Sequence, residues 1–132
     1  MNFRHEVIDP QAPGGKNDVC LIGDINGDGL NEVIIGGKTG QDNLVWYQYP
    51  RWERHTIGSG VLEAGGFLAD ISGNGRLDIV VGQTPGENAG RELYWYENPG
   101  NNEEWTRRVI CDSFFKYHDQ LVADIDNDGS PE

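Results

Sequence analysis

Long apolar runs are absent from this chain of 132 residues, and basic residues are scarce. No window approaches the roughly 18 apolar residues of a membrane-spanning helix, so we expect no membrane span. Met1–Pro10 has no apolar segment of the signal-peptide type. The 10 lysines and arginines face 22 acidic residues, which gives a net charge of −12. Such a surface repels a phosphate backbone, so we expect no nucleic-acid partner.

Cysteine and methionine are scarce as well, with two cysteines and one methionine. Cys20 is expected on an inner strand and Cys111 directly after an outer strand. Neither cysteine has the spacing of a metal site. We interpret them as two partly buried free thiols, and a disulfide between them is the alternative.

The most informative pattern is a nine-residue loop that occurs three times, at Asp24–Glu32, Asp70–Asp78 and Asp124–Glu132. In each copy, acidic or other oxygen-bearing side chains stand at the first, third, fifth and ninth positions, and glycine stands at the sixth. The copies begin 46 and 54 residues apart. This recurrence predicts an array of similar units, each built around one loop.

Each full unit contains four short runs rich in Val, Ile, Trp and Tyr, bounded by turn residues, which is typical of β-strands. No stretch has the 3.6-residue apolar period of a helix. The predicted strands are Val19–Gly23, Glu32–Gly36, Asn43–Tyr49 and Trp52–Ile57 in the first unit, and Gly66–Ala69, Asp78–Gly82, Glu92–Glu97 and Trp105–Ile110 in the second.

Four strands per unit predict an all-β fold of four-stranded antiparallel β-propeller blades. Residues 1–9 are interpreted as the closing strand of a preceding blade, residues 10–58 as blade one, residues 59–111 as blade two, and residues 112–132 as the start of a truncated third blade. A β-sandwich is the alternative, although the self-similar period argues against it. Because propellers close with about 4–8 blades, we expect an incomplete propeller, completed by further blades of a longer parent or by self-association.

The loops offer the hard oxygen donors that Ca²⁺ prefers, six to eight at about 2.3–2.6 Å. The predicted ligand positions are Asp24, Asn26, Asp28, the carbonyl of Leu30 and Glu32 in loop one; Asp70, Ser72, Asn74, Arg76 and Asp78 in loop two; and Asp124, Asp126, Asp128, the carbonyl of Ser130 and Glu132 in loop three. The twelfth position of loop one is Ile35 rather than glutamate, which excludes an EF-hand. The alternative is that Asx-turns shape these hairpins without metal.

These loops, followed by Val-Ile-Ile-Gly or Ile-Val-Val-Gly, resemble the FG-GAP/VCBS repeat family, of which integrin α-subunits are the familiar example. The resemblance implies a propeller that binds Ca²⁺ in such loops, with up to three sites in this chain. Loop three has four carboxylates, loop one has three and loop two has two, with Arg76 adding positive charge. We therefore predict that Ca²⁺ affinity falls in the order third, first, second. Loop three lacks an exit strand, so we expect its site to be disordered in this chain.

Beyond the loops, His118 occupies the repeat position of Asp18 and Ala64, at the start of an innermost strand. With Asp119 it is a candidate general base or transition-metal ligand, and solvated residues at a strand entrance are the alternative. Lys16, Asn17, Asp18, Lys116 and Tyr117 are expected on the same rim.

His5, His55 and Arg108 share a repeat position and are interpreted as structural, facing a neighbouring blade's acids. The recurring aromatics Trp46, Trp95, Trp52, Trp105 and Phe3 are interpreted as packing between blades, with sugar stacking as the alternative.

The sequence thus predicts a calcium-binding repeat module that binds or scaffolds a carbohydrate or a protein. The Trp-Tyr-Glu-Asn-Pro and Trp-Thr-x-x-x-Ile segments also resemble propellers of secreted carbohydrate-active proteins, including polysaccharide lyases and aldos-2-ulose dehydratases. The alternative function is therefore part of such an enzyme, with its site in the propeller channel. Since loop sites of extracellular modules fill at roughly 10⁻⁴–10⁻³ M calcium, we expect an extracellular or periplasmic location, although no signal peptide is visible.

Overall fold

The chain folds into two four-stranded antiparallel sheets, in a computed structural model that describes residues 2–84, 91–101 and 103–132. The first sheet contains β1 (Val19–Gly23), β2 (Glu32–Gly36), β3 (Leu44–Gln48) and β4 (Glu53–Gly58) in that order. The second contains β5 (Phe67–Ala69), β6 (Asp78–Gly82), β7 (Leu93–Glu97) and β8 (Thr106–Cys111), also in chain order. The two sheets contact each other through their first strands, β1 and β5.

All eight strands were predicted, and their ends agree with the prediction to within one residue. The all-β assignment is confirmed, and the sheets are propeller blades that do not form a closed ring among the described residues. That part of the chain contains no helix long and apolar enough to cross a bilayer. Residues 2–9 and the described residues from 112 onward contain no strand. The division into a closing strand, two blades and a truncated blade stays a prediction.

An apolar core formed by side chains of both units lies between the two sheets. Residues Leu44–Tyr47 are buried at consecutive positions, so β3 is covered on both faces. The buried core comprises Val19, Ile25, Ile34, Leu44, Trp46 and Ile57 from the first unit, and Leu62, Ile79, Val81, Tyr94, Tyr96 and Trp105 from the second. Trp46 and Trp105 therefore pack between blades, as predicted, whereas Trp52 and Trp95 are half-buried and Phe3 is exposed.

A glycine ends the second strand of each unit because the next unit approaches the backbone there. A Cβ atom on Gly36 would lie 2.6 Å from a methyl group of Leu62. A Cβ atom on Gly82 would lie 2.5 Å from the Cβ of Tyr117 and 2.6 Å from its carbonyl oxygen. The backbone N–H of Leu62 donates to Gly37 across the first junction, and that of Tyr117 donates to Gln83 across the second. The glycines after Val-Ile-Ile and Ile-Val-Val are thus packing requirements of the repeat.

The shared position of His55 and Arg108 is structural, but its contacts lie within one sheet. His55 stacks on Trp46, its cross-strand neighbour, with ring centroids 4.3 Å apart. Arg108 is the cross-strand neighbour of Trp95 and donates to Glu97 at 2.7 Å. The expectation that this position faces a neighbouring blade's acids was wrong for both residues, since register on the sheet supplies the partners. His5 is exposed.

The cysteines are free, as predicted. Cys111 is half-buried as the last residue of β8, but Cys20 is exposed, so the expectation of two partly buried thiols was wrong for Cys20. Cys20 is on β1, where its side chain alternates with the buried Val19. The Tyr117 hydroxyl donates to the Cys111 sulfur at 3.2 Å.

Candidate functional site

The first carboxylate of each loop holds the turn through backbone N–H groups. In loop one, Asp24 accepts hydrogen bonds from Asp28 at 3.2 Å and from Gly29 at 2.9 Å. Loop two repeats these bonds at Asp70, and loop three repeats them at Asp124, with distances of 2.8 to 3.0 Å. Three segments that differ in sequence therefore adopt one hydrogen-bonded conformation.

The side-chain carboxylate of the ninth residue closes each loop. It accepts a hydrogen bond from the backbone N–H of the second residue of the same loop. Ile25 donates to Glu32 at 3.0 Å, and the equivalent bonds reach Asp78 at 3.0 Å and Glu132 at 2.8 Å. Glu32 and Asp78 are fully buried, whereas Glu132 is exposed. Each of these three carboxylates thus closes its loop by the same side-chain to backbone hydrogen bond.

Loop three is closed in the structure although no strand follows it among the described residues. Ala123 and Glu132 exchange backbone hydrogen bonds of 3.2 and 2.9 Å. The pair is equivalent to Gly23 and Glu32 at the end of the β1–β2 ladder. One hydrogen-bonded pair and the internal bonds of the loop close it in the structure, and the expectation that its metal site is disordered stays a prediction.

Glycine is required in the loops by backbone conformation. Gly27 and Gly29 have φ values of 77° and 86°, and Gly73 and Gly75 have 71° and 81°. A Cβ atom at any of these four positions would meet nothing within 4 Å. Since space is available, the left-handed φ values alone explain the glycines.

The donor set of the loops fits a hard cation. In loop three, carboxylate oxygens of Asp124, Asp126 and Asp128 lie within 4.8 Å of one another. In loop one, the buried Oε1 of Glu32 has no hydrogen-bond partner among the described residues, and in loop two the same holds for the Oγ of Ser72. Buried oxygens without partners are costly, and a cation in the loop would satisfy them. Burial raises the pKa of Glu32, and the nearby carboxylates of Asp28 and Asp24 raise it further.

The seventh residue of each loop has its N–H engaged by the fifth side chain. Leu30 donates to Asp28, Arg76 to Asn74 and Ser130 to Asp128, at 2.7 to 2.9 Å. The ligand role of their carbonyl groups stays a prediction. The Arg76 side chain also donates from Nε to the carbonyl of Asn98 at 3.0 Å.

The Asn26 side chain in loop one is also held within the loop. Its Oδ1 accepts from the Asp28 N–H at 2.9 Å, and its Nδ2 donates to Oδ2 of Asp28 at 3.1 Å. The structure therefore brings together the third and fifth positions that the sequence predicted as ligands.

A second polar cluster lies at the other end of the inner strands, around the buried Glu63. The Glu63 carboxylate is 2.8 Å from Nζ of Lys38 and 3.3 Å from Nζ of Lys116, and its side chain is only 2% exposed. Lys38 also pairs with Asp18 at 3.2 Å. The cluster joins all three units, since Lys38 follows β2, Glu63 precedes β5 and Lys116 lies beyond β8.

Glu63 is ionised although it is buried. Burial opposes the charge, but hydrogen bonds from Lys38, Thr84, the Ala64 backbone and Lys116 hold the pKa of Glu63 at about 2. A buried carboxylate with lysines on two sides is stable only as part of such a network. The cluster is therefore an electrostatic junction between units.

The structure places His118 and Asp119 at this junction. The Nδ1 atom of His118 is 2.7 Å from Oδ2 of Asp119, and its Nε2 atom is 3.9 Å from Oε1 of Glu63. The Asp119 N–H donates to the carbonyl of Ala64 at 3.2 Å. His118 and Asp119 thus share a rim with Glu63, while a catalytic or metal-binding role for them stays a prediction.

Of the other rim candidates, Tyr117 packs against Gly82 and Lys16 adopts a positive φ of 55°. The side-chain oxygen of Asn17 lies 2.5 Å from the position of a Cβ on Gly37. Sequence reasoning missed Glu63 and its partner Lys38. One signal was available, because Glu63 directly precedes Ala64, the repeat equivalent of His118.

Asn98 was missed as well, and it is 3% exposed. Its Nδ2 donates to the carbonyl of Ile25 at 2.8 Å and to that of Leu77 at 3.0 Å. Ile25 is 73 residues away along the chain. No local pattern signals such a contact.

The sequence model of the FG-GAP-like repeat matches the chain twice, over residues 24–81 and 70–132. Among curated proteins, the aldos-2-ulose dehydratase of Phanerodontia chrysosporium is 30% identical over 139 residues. That alignment covers 88% of this chain and 15% of the relative, so the chain spans a small part of that protein's length. The search of solved structures gave no significant match.

Proposed function

The chain belongs to the FG-GAP-like repeat family, and we propose that it is a calcium-binding β-propeller repeat module that binds or scaffolds a carbohydrate or protein ligand. The observation that carries the calcium proposal is the common loop structure. Three loops share one hydrogen-bond pattern, and loop three gathers three carboxylates within 4.8 Å. Such groups repel one another unless a cation joins them.

Calcium would be held by the first, third, fifth and ninth side chains and the seventh carbonyl of each loop. It would supply positive charge to the acidic loops and fix the hairpin between the first two strands of a unit. The protein's part is to pre-form the turn, which the glycines and the first carboxylate already do. We retain the affinity order third, first, second, since ligand charge is one determinant of calcium affinity.

Calorimetry of the chain with chelator and with millimolar calcium tests this proposal. Binding only to the folded chain stabilises it by about 2.7 kcal/mol per site at 100 times Kd, so we expect a higher Tm with calcium. Titration of Asp24→Asn, Asp70→Asn and Asp124→Asn, with Asp112→Asn outside the loops as control, assigns the sites. An unchanged Tm and no binding heat would refute calcium binding, and tightest binding at loop two would refute the order.

The ligand of the module is tested by glycan-array binding with and without chelator. Calcium-dependent capture of a glycan would support carbohydrate binding, and no capture would favour a protein ligand. The expected location is extracellular or periplasmic, because sites that need roughly 10⁻⁴–10⁻³ M calcium fill there.

A second candidate function is part of a carbohydrate-active enzyme with its site in the propeller channel. It is favoured by the 30% identity to an aldos-2-ulose dehydratase. On the inner rim, Glu63 and the His118–Asp119 pair are the candidate catalytic groups. Dehydration of an aldos-2-ulose by the longer protein, lost in His118→Ala but not in His5→Ala, would support the enzyme.

A further inference from the structure

A chain of buried hydrogen bonds runs between loop one and loop two. Glu32, the ninth residue of loop one, accepts from the N–H of Ile25 at 3.0 Å. The carbonyl of Ile25 accepts from Nδ2 of Asn98 at 2.8 Å. The backbone N–H of Asn98 then donates to Asp78, the ninth residue of loop two, at 2.8 Å.

Every member of this relay is buried. Glu32 and Asp78 are fully buried, Ile25 is 2% exposed and Asn98 is 3% exposed. Water therefore cannot replace a broken bond, and a buried polar group left without a partner costs about 1–3 kcal/mol. Neither loop backbone can shift without disturbing the relay.

Asn98 is held on its remaining atoms too. Its Nδ2 also donates to the carbonyl of Leu77, inside loop two, at 3.0 Å, and its Oδ1 accepts from Gly100 at 2.9 Å. One side chain therefore contacts the second residue of loop one and the eighth residue of loop two. Three hydrogen bonds hold the Asn98 side chain in place. A displacement of one loop backbone would therefore move Asn98 and, with it, the other loop.

We propose that Asn98 couples cation binding at loops one and two, so that filling either loop raises the affinity of the other. The proposal rests on the proposed calcium function. A cation that engages Glu32 or Asp78 moves that end of the relay to its cation-bound position, and the hydrogen bonds of the relay move the other loop with it. The second cation then needs less reorganisation of its own loop, which gives positive cooperativity.

Loop three provides an internal reference. Its side-chain hydrogen bonds among the described residues join Asp124, Asp126, Asp128 and Glu132 to backbone groups of the same loop. Glu132 is exposed. Cation binding at loop three is expected to be independent of the other two loops.

The coupling is measured by calcium titration calorimetry in the full chain with loop three silenced by Asp124→Asn. Adding Asp70→Asn should weaken binding at loop one by about fivefold or more, which is the lower range of measured couplings. Adding Asp24→Asn instead should weaken loop two by the same factor, because linkage is reciprocal. With Asn98→Ala present, both factors should fall to about one, while Asn101→Ala, three residues further along the chain, should leave them unchanged.

A second measurement needs no substitution at Asn98. In a chain with both Asp24→Asn and Asp124→Asn, calcium is expected to fill loop two alone, and the amide NMR signals of Ile25 and Asn98 should shift as it does so. The proposed coupling would be refuted if the calcium affinity of each loop did not depend on the other loop, or if the coupling persisted in Asn98→Ala. Amide signals of Ile25 and Asn98 that do not shift on calcium addition would refute it even if Asn98→Ala fails to fold. Absence of calcium binding at every loop would instead refute the proposed function.

Discussion

Replacing Glu63 by glutamine tests whether the inner-rim cluster holds the units together. The change preserves the side-chain volume and an acceptor for Lys38, but it removes the negative charge. It also places an amide N–H₂ group where Oε2 faces the ammonium of Lys116, 3.3 Å away. Two donors then meet at a buried position.

The expected loss of unfolding free energy follows from the burial of the partners. Removing one partner of a buried ion pair costs about 3–5 kcal/mol. Here the lysines that remain are partly exposed, with 24% of the Lys38 side chain and 48% of the Lys116 side chain accessible. Water solvates them in the variant, so we expect a smaller loss of about 2 kcal/mol.

Urea unfolding of the Glu63→Gln variant and of a matched Glu97→Gln control measures this loss. Glu97 pairs with Arg108 at a partly exposed position, so its replacement should cost about 0–1 kcal/mol. The pH dependence gives an independent check. The pKa of Glu63 is lowered from 4.5 to about 2, so its contribution is complete above pH 4.5 and is lost as the pH falls towards 2.

The difference between the wild-type chain and Glu63→Gln should therefore be largest at neutral pH and shrink between pH 4.5 and 2. Equal losses in Glu63→Gln and Glu97→Gln at pH 7 would show that the cluster contributes no more than a surface pair. A difference that grows in acid would show that folding raises the pKa of Glu63 instead of lowering it. Either result refutes the reasoning.

Three further changes test other parts of the fold. Gly82→Ala should lose about 1–3 kcal/mol of unfolding free energy in urea, because the new Cβ would meet Tyr117 at 2.5 Å; no loss would show that the junction is looser than the structure. Tyr47→Phe should lose about 1–2 kcal/mol, since the hydroxyl donates to Asp9 at 2.7 Å, and spectroscopic titration of the parent should show a Tyr47 pKa of about 12, raised by burial and by Asp9. Gly29→Ala should lose about 1–2 kcal/mol from its φ of 86°, and a Gly29→Asn variant, which tolerates this region better, should recover part of the loss.

The strands and the loops were predictable because their causes are local and repeated. Runs of Val, Ile, Trp and Tyr, the turns that bound them and the glycine positions all recur from unit to unit, so one unit supports the interpretation of the next. The strand ends agreed to within one residue for that reason. The hydrogen-bond pattern of the loops follows from their own nine residues, which is why loop three has it although the described residues include no strand after it.

Glu63 and Asn98 were not predictable because their roles depend on partners from other units. Glu63 is an acid in a glycine-containing connection, and sequence alone does not distinguish it from a solvated one. Its burial depends on Lys38 and Lys116, 25 and 53 residues away. For Arg108, the repeat predicted a structural role correctly but not the partner. The partner, Glu97, follows only from the register of β8 on β7.

The nine-residue loops and the Glu63 cluster lie at opposite ends of the inner strands. Both hold the junction between units, the loops by hydrogen bonds to their backbone and the cluster by charge pairing. The loops join the end of β1 to the start of β2, whereas Glu63 contacts Lys38, just beyond the end of β2. Five residues of strand separate these ends, about 16 Å. The apolar core between them joins the sheets regardless of metal. Sites more than about 7–10 Å apart with no shared partner act additively. The proposed calcium sites at the loops and the charge pairing at the rim are therefore expected to contribute to stability independently. Under the calcium proposal, adding chelator should loosen the loop end while the rim, with His118 and Asp119, keeps its arrangement.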